Sequence, residues 1–145
     1  MKSRREFISA SADETVEIGR HIARELSSRT PTPTLVLLIG NLGAGKTTLA
    51  KGIVSGLCLA EPDEVTSPTF TLIHEYGEGR LYHVDLYRLD TAAQVAALGF
   101  DEILSRDAIV LIEWGERFPE LLPPERIEIQ LTALDGDRRS IIVIE

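Results

Sequence analysis

The sequence has one cysteine, only three lysines against twelve arginines, and no apolar run approaching the roughly 20 residues that a membrane-crossing helix requires. A single cysteine excludes an intramolecular disulfide and fits a reducing cytoplasm. The start, MKSRREFISA, has basic residues but no long apolar segment after them, so it does not read as a signal peptide. Net positive charge is missing too. At −8 the balance argues against wide binding of nucleic-acid backbone, and leaves room for a local arginine patch or a basic protein partner. There is no internal repeat and no low-complexity segment. The remainder, 145 residues with 43% hydrophobic and 26% charged, reads as one globular domain with a core of its own.

One of the scarce lysines sits in the most informative stretch, Gly40 to Thr48, GNLGAGKTT. Gly40, Gly45, Lys46 and Thr47 have the spacing of a phosphate-binding loop. Glycines there let successive backbone N–H groups turn inward around an anion. Lys46 is a mobile point charge able to reach terminal phosphates, and the Thr47 hydroxyl is placed to ligate Mg²⁺. The context agrees. Thr34–Ile39 reads as a strand buried on both faces, and Lys46 to Cys58 as the helix that follows, its positive end toward the phosphates.

Ser11-Ala-Asp-Glu14 reads as a capping box opening a helix to about Arg29, with Val16, Gly19, Ile22, Ala23 and Leu26 on its buried face. On pattern alone Thr15 and Ile18 are unremarkable positions in its first turns. Thr30-Pro-Thr-Pro33 stops it. After a polar linker from Glu61 to Pro68, Thr69–Tyr76 and Leu81–Leu86 read as a hairpin about Gly77-Glu-Gly-Arg80. Thr91–Leu104 reads as a helix interrupted by Gly99, Ala108–Ile112 as a second buried strand, and Trp114–Leu122 as a short helix or turn. Arg126–Leu134 and Arg139–Ile144 alternate about Asp135-Gly-Asp137 as a closing hairpin. Cys58, near a helix end with no partner in the pattern, reads as a small buried residue. The whole predicts an α/β domain with a mainly parallel central sheet, antiparallel edge strands and flanking helices.

A phosphate loop binds; hydrolysis also needs a carboxylate for Mg²⁺ and a group that places water. Glu113 follows the apolar Ile109–Ile112, at a strand end where ligands of open α/β sheets bind. His83, Asp85 and Tyr87 alternate on one face, which allows two readings. Either they form a site in which Asp85 orients water or a metal ligand, or His83 and Tyr87 are half-buried and Asp85 begins a turn. Thr66-Ser67-Pro68-Thr69 is equally open between a switch-like loop and a capped one. Trp114 either shields the site or packs beneath it.

In this order, GNLGAGKTT, VTSPTF (Val65 to Phe70), YHVDLYR (Tyr82 to Arg88) and LIEWGERF (Leu111 to Phe118) resemble the bacterial TsaE family, also known as YjeE. The resemblance covers nearly the whole chain, from Asp13-Glu-Thr15 to the last hairpin. It implies a P-loop NTPase-like fold and an ATPase needed to form threonylcarbamoyladenosine in tRNA. It implies that Gly43, Ala44, Gly45, Lys46, Thr47 and Thr48 hold the ATP phosphates, that Thr15 lies near the nucleotide, and that Thr47 and Glu113 hold Mg²⁺. Lys46, Asp85 and Glu113 then carry catalysis, Trp114 is a functional neighbour, Thr69 falls in a switch-like loop, and Arg138 and Arg139 match loosely to positions near the base. The implied partners are TsaD and TsaB, with tRNA reached indirectly through them, in the cytoplasm and without a membrane.

Two other readings compete. A small-molecule kinase needs an acceptor pocket and a lid, and no long arginine-rich insertion is present to supply one. A non-catalytic nucleotide-dependent module leaves Asp85 and Glu113 without purpose. No N-K-x-D segment is present to read guanine.

Overall fold

Apolar runs become strands and the striped segments between them become helices. The computed structural model describes residues 3–28, 33–68 and 71–145. In chain order its elements are β1 (Arg4–Ser9), α1 (Ala12–Ser27), β2 (Thr34–Ile39), α2 (Lys46–Gly56), β3 (Ile73–Tyr76), β4 (Leu81–Asp85), α3 (Ala92–Ala96), α4 (Phe100–Leu104), β5 (Ile109–Glu113), β6 (Ile127–Ala133) and β7 (Arg139–Ile144). Short 3-10 turns occupy Pro62–Glu64, Gly115–Arg117 and Pro119–Leu121.

The strands form one seven-stranded sheet in the order β1-β7-β6-β2-β5-β4-β3. Its four central strands, β6, β2, β5 and β4, run parallel. β3 is antiparallel to β4 at one edge, and β7 and β1 add antiparallel at the other. A parallel centre must be covered on both faces, which is why β2 is apolar at every position after Thr34. Val36 and Leu38 face a cluster with Ile22, Leu49 and Ile53 of α1 and α2. Leu35 and Leu37 face the opposite cluster, with Val95, Phe100, Ile103 and Phe118. Leu37, Leu38, Leu111 and Ile112 are at most 1% exposed. Each such burial contributes about 1.5–3 kcal/mol, so the core is centred on β2 and β5, the two strands that end at the glycine loop and Glu113.

Several boundaries differ from the sequence expectation. β1 has no counterpart in it. This edge strand is paired along its length with β7, from Arg4 opposite Ile144 to Ser9 opposite Arg139. Charged residues on its exposed side suit an edge but hide the alternation. Ser11 caps α1 by accepting from the Glu14 N–H, while the Glu14 carboxylate accepts from Ala10 N rather than from the cap residue itself. The helix ends at Ser27; Arg29 lies outside the described residues. Thr15, not Val16, joins Gly19, Ile22, Ala23 and Leu26 among its buried positions.

α2 stops at Gly56, two residues short of Cys58. Cys58 takes a left-handed backbone (φ 61°) and is exposed, which corrects the expectation of a buried thiol: the early stop turns the chain outward. β3 is shorter than Thr69–Tyr76, because Leu72 has φ 71° and breaks the extended run, while Thr69 lies outside the described residues. The 91–104 segment splits at Gly99, whose φ of 78° caps α4. Residues 114–122 form two 3-10 turns.

Candidate functional site

The glycine loop leaves the C-terminal end of β2 and enters α2 through Gly45, at φ 105° a conformation that a Cβ would strain. No acidic side chain occupies the first turn of α2, so its N–H groups and the positive end of its dipole face the cavity uncompensated. Lys46 is the first residue of α2 and only 5% exposed. Its Nζ donates to the Gly40 carbonyl at 2.7 Å and lies 3.6 Å from the centroid of the Trp114 ring. Burial pushes the Lys46 ammonium below its ordinary range, opposed by the negative charges of Glu113, Glu116 and Asp85. Trp114 follows β5 in a left-handed conformation (φ 66°), which brings its indole over Lys46. The Tyr87 ring lies tilted against it, with centroids 5.0 Å apart. The indole thus covers the lysine on the cavity wall and packs against the core cluster that includes Leu37 and Ile112.

Two carboxylates flank the lysine on neighbouring strands. Asp85 and Glu113 are register partners at the C-terminal ends of β4 and β5. Both are nearly inaccessible, at 2% and 3%. Asp85 accepts from the Tyr87 N–H at 2.8 Å and from the Ser67 hydroxyl at 3.4 Å. Glu113 Oε2 lies 2.5 Å from His83 Nε2. The sequence alternatives for His83-Val-Asp85-Leu-Tyr87 are thus divided. Asp85 and Tyr87 line the cavity, and His83 lies beneath it, fully buried.

The cavity measures about 440 Å³. The structure gathers Thr15, Gly43, Gly45, Lys46, Thr47, Thr48, Asp85, Glu113 and Trp114 on its wall. Thr15 is held there by Ser9 Oγ at 2.7 Å and by the Ser11 carbonyl at 3.2 Å. Ala44 is not on the wall: its side chain packs into the core and its N–H is taken by the Asn41 carbonyl. The two arginines separate as well. Arg139 lines the cavity and approaches the Gly43 carbonyl at 3.4 Å, whereas Arg138 pairs with Asp135 on the surface. Sequence reasoning missed Ala12, Leu42 and Asp137 on the wall, where Ser67 also stands. Ser67 was within reach, as it stands in the candidate switch segment 66–69; nothing in the pattern distinguished Asp137 from an ordinary turn acid.

These residues suit a polyanion with a hard cation. The donors near Lys46 are oxygens, from Thr47, Asp85 and Glu113. Among the described residues no group of three or more His, Cys, Asp or Glu could cage a metal by itself. That is the donor set of Mg²⁺, which binds through one or two carboxylates and completes its shell from water and phosphate.

A family profile described as threonylcarbamoyl adenosine biosynthesis protein TsaE matches residues 9–141. The chain belongs to the TsaE family. A tRNA threonylcarbamoyladenosine biosynthesis protein TsaE from Rickettsia conorii is 38% identical over 136 residues, covering 92% of this chain and 74% of that protein. Its counterpart from a Nostoc species is 42% identical over 142 residues, covering 92% and 82%. The crystal structure of YdiB from Bacillus subtilis superposes with a TM-score of 0.76 at 32% identity, over 99% of this chain and 86% of that one. The TsaE family thus places the chain in threonylcarbamoyladenosine biosynthesis for tRNA. Among the described residues no helix is long and apolar enough to cross a membrane.

Proposed function

We propose that the chain is a P-loop ATPase that uses Mg²⁺ and acts in the cytoplasm on a TsaD–TsaB complex, meeting tRNA only through that complex. The observation that carries this reading is the convergence in one cavity of a glycine loop opening a helix, a buried lysine, and two buried carboxylates at adjacent strand ends. Gly43, Gly45 and the first turn of α2 cradle phosphate oxygens, and Lys46 leaves the Gly40 carbonyl for the terminal phosphates. Thr47 and Glu113 would hold Mg²⁺, which neutralises charge on the phosphates. Asp85, fixed by the Tyr87 N–H and the Ser67 hydroxyl, orients the attacking water. Thr15 and Arg139 line the same cavity, and Thr15 would lie near the nucleotide.

Arg139 donates to the loop carbonyl of Gly43 at 3.4 Å. Slow turnover by the isolated chain is expected. A partner supplying a cation or ordering the 66–69 loop would accelerate it, by about 10³–10⁵ where a positive group is provided in trans. The test is ATP hydrolysis with Mg²⁺, alone and with TsaD–TsaB from the same organism. Partner stimulation that disappears in Lys46→Ala, with hydrolysis lost in Asp85→Ala and Glu113→Ala while ATP still binds, is the expected result. Unchanged turnover in the Asp85→Ala/Glu113→Ala double variant would refute the assignment. ATP binding without hydrolysis or stimulation would make the chain a passive nucleotide-dependent module.

A further inference from the structure

His83 is a buried polar residue beside Glu113 that the proposed chemistry leaves without a task. Its side chain is completely inaccessible, in the middle of a strand whose five residues are all buried. In the β4–β5 register it stands opposite Leu111, with Asp85 opposite Glu113. Its ring therefore crosses diagonally by two residue positions to meet Glu113 Oε2 at 2.5 Å. A carboxylate offers only acceptors, so the imidazole donates from Nε2. Its other nitrogen, Nδ1, has no hydrogen-bond partner among the described residues. A buried N–H there would be left unsatisfied, whereas a bare lone pair is cheaper to bury, which favours the tautomer with its hydrogen on Nε2.

The contact decides where Glu113 points. Glu113 is the acid whose charge acts most strongly on Lys46, yet the two form no ion pair; Lys46 is occupied by the Gly40 carbonyl and the Trp114 ring. Glu113 Oε1 makes no hydrogen bond among the described residues, while Glu113 lines the cavity. One oxygen is held from beneath and the other is left to the cavity.

We propose that His83 is a positioning residue that grips one carboxylate oxygen of Glu113 so that the other is presented to the divalent cation bound with the nucleotide. This rests on the Mg²⁺–ATP reading above. Residues that hydrogen-bond metal-ligating groups typically matter by about 10–100-fold in metal affinity or activity. The donor's reach matters, not its ring. His83→Gln keeps an N–H at comparable reach, and His83→Asn is too short to bridge the strands.

The test titrates Mg²⁺ into the full chain holding saturating ADP, and reads the emission of Trp114, the chain's single tryptophan. It is repeated for His83→Leu, His83→Gln and His83→Asn, with metal-free ADP binding and kcat measured alongside. His83→Leu and His83→Asn should bind metal-free ADP as the parent does, need about 10–100-fold more Mg²⁺ to reach half-signal, and lose kcat, while His83→Gln restores most of both. If His83→Leu does not fold, the Gln and Asn variants still decide. Mg²⁺ midpoints within about twofold of the parent in both Gln and Asn variants, or equal damage in both, overturn the proposal. A parent chain whose ADP binding ignores Mg²⁺ overturns the underlying Mg²⁺–ATP reading as well, and is distinguished by appearing before any substitution is made.

Discussion

The ammonium of Lys46 is held between the carbonyl of Gly40, at 2.7 Å, and the face of Trp114, at 3.6 Å from the ring centroid. A lysine that serves phosphates must leave that carbonyl, and its departure changes the charge over the indole. ATP with Mg²⁺ should therefore alter Trp114 emission, and Lys46→Met should remove most of the response without unfolding the chain. Trp114→Leu removes a cation–π contact of about 0.5–2 kcal/mol and should lower stability by a similar amount in urea unfolding. A nucleotide-linked emission change that survives Lys46→Met would show that the indole senses something other than the lysine.

Thr15, bonded to Ser9 and Ser11, stands on a helix, α1, that lies almost in contact with α2. A Cβ on Gly52 would sit 2.1 Å from the Val16 carbonyl oxygen, and one on Gly19 would sit 2.6 Å from that of Leu49. Both obstacles are backbone, so neither can yield by a rotamer change. Gly52→Ala should cost at least about 1–3 kcal/mol, and should weaken ATP binding by displacing Thr15. Denaturant unfolding and nucleotide titration of the same variant check the two effects; a stable variant with intact affinity would mean that the helices separate at little cost.

Residues of the site were legible in the sequence where chemistry is local, and illegible where it depends on what packs beneath. The loop, β2 and Glu113 follow from a contiguous motif and two apolar runs. Asp85 was readable as a candidate, but its fixing by Ser67 and the Tyr87 N–H depends on a loop and turn whose approach no periodicity encodes. His83 could not be separated from a core histidine, because its partner lies 30 positions away. Arg138 and Arg139 look alike in sequence; only the hairpin's geometry sends one into the cavity and the other to Asp135. β1 escaped because charges on an edge strand's outer face blur its alternation. The left-handed conformations at Cys58 and Leu72 escaped because neither residue type favours them.

Lys51 stands one turn beyond Thr47 on α2 and donates to the carbonyls of Pro62 and Val65 at 3.0 and 2.6 Å. This ties the linker to the same helix that opens at the glycine loop, two residues before Ser67 meets Asp85. Lys51→Met leaves the Val65 carbonyl without its donor, while the Pro62 carbonyl keeps the Val65 N–H, and should destabilise by about 1–3 kcal/mol. Its sharper signature is functional: ATP affinity stays near the parent value, turnover falls, and limited proteolysis of the 61–68 segment quickens. Equal losses in affinity and turnover would instead point to general damage of α2.

Glu116 gives the site a dependence on pH whose sign can be worked out. It is half-buried, and its Oε1 has no hydrogen-bond partner among the described residues. Burial raises its carboxyl above the ordinary 4.5, against a backbone hydrogen bond and the positive charges of Lys46 and Arg117. The folded chain then holds this proton more tightly than the unfolded one, so between 4.5 and the raised value stability falls as pH increases. Above that window the full cost of a half-buried carboxylate is present; below 4.5 it is gone. Glu116→Gln should accordingly raise Tm at about pH 7.5, with a smaller gain at about pH 5. Loss of the acid also withdraws one of the charges that help keep Lys46 protonated, but burial is the larger influence on Glu116, so the net sign is a gain. A lower Tm at neutral pH would mean that attraction to Lys46 outweighs desolvation, and would recast Glu116 as a partner of the lysine rather than a strained neighbour of the site.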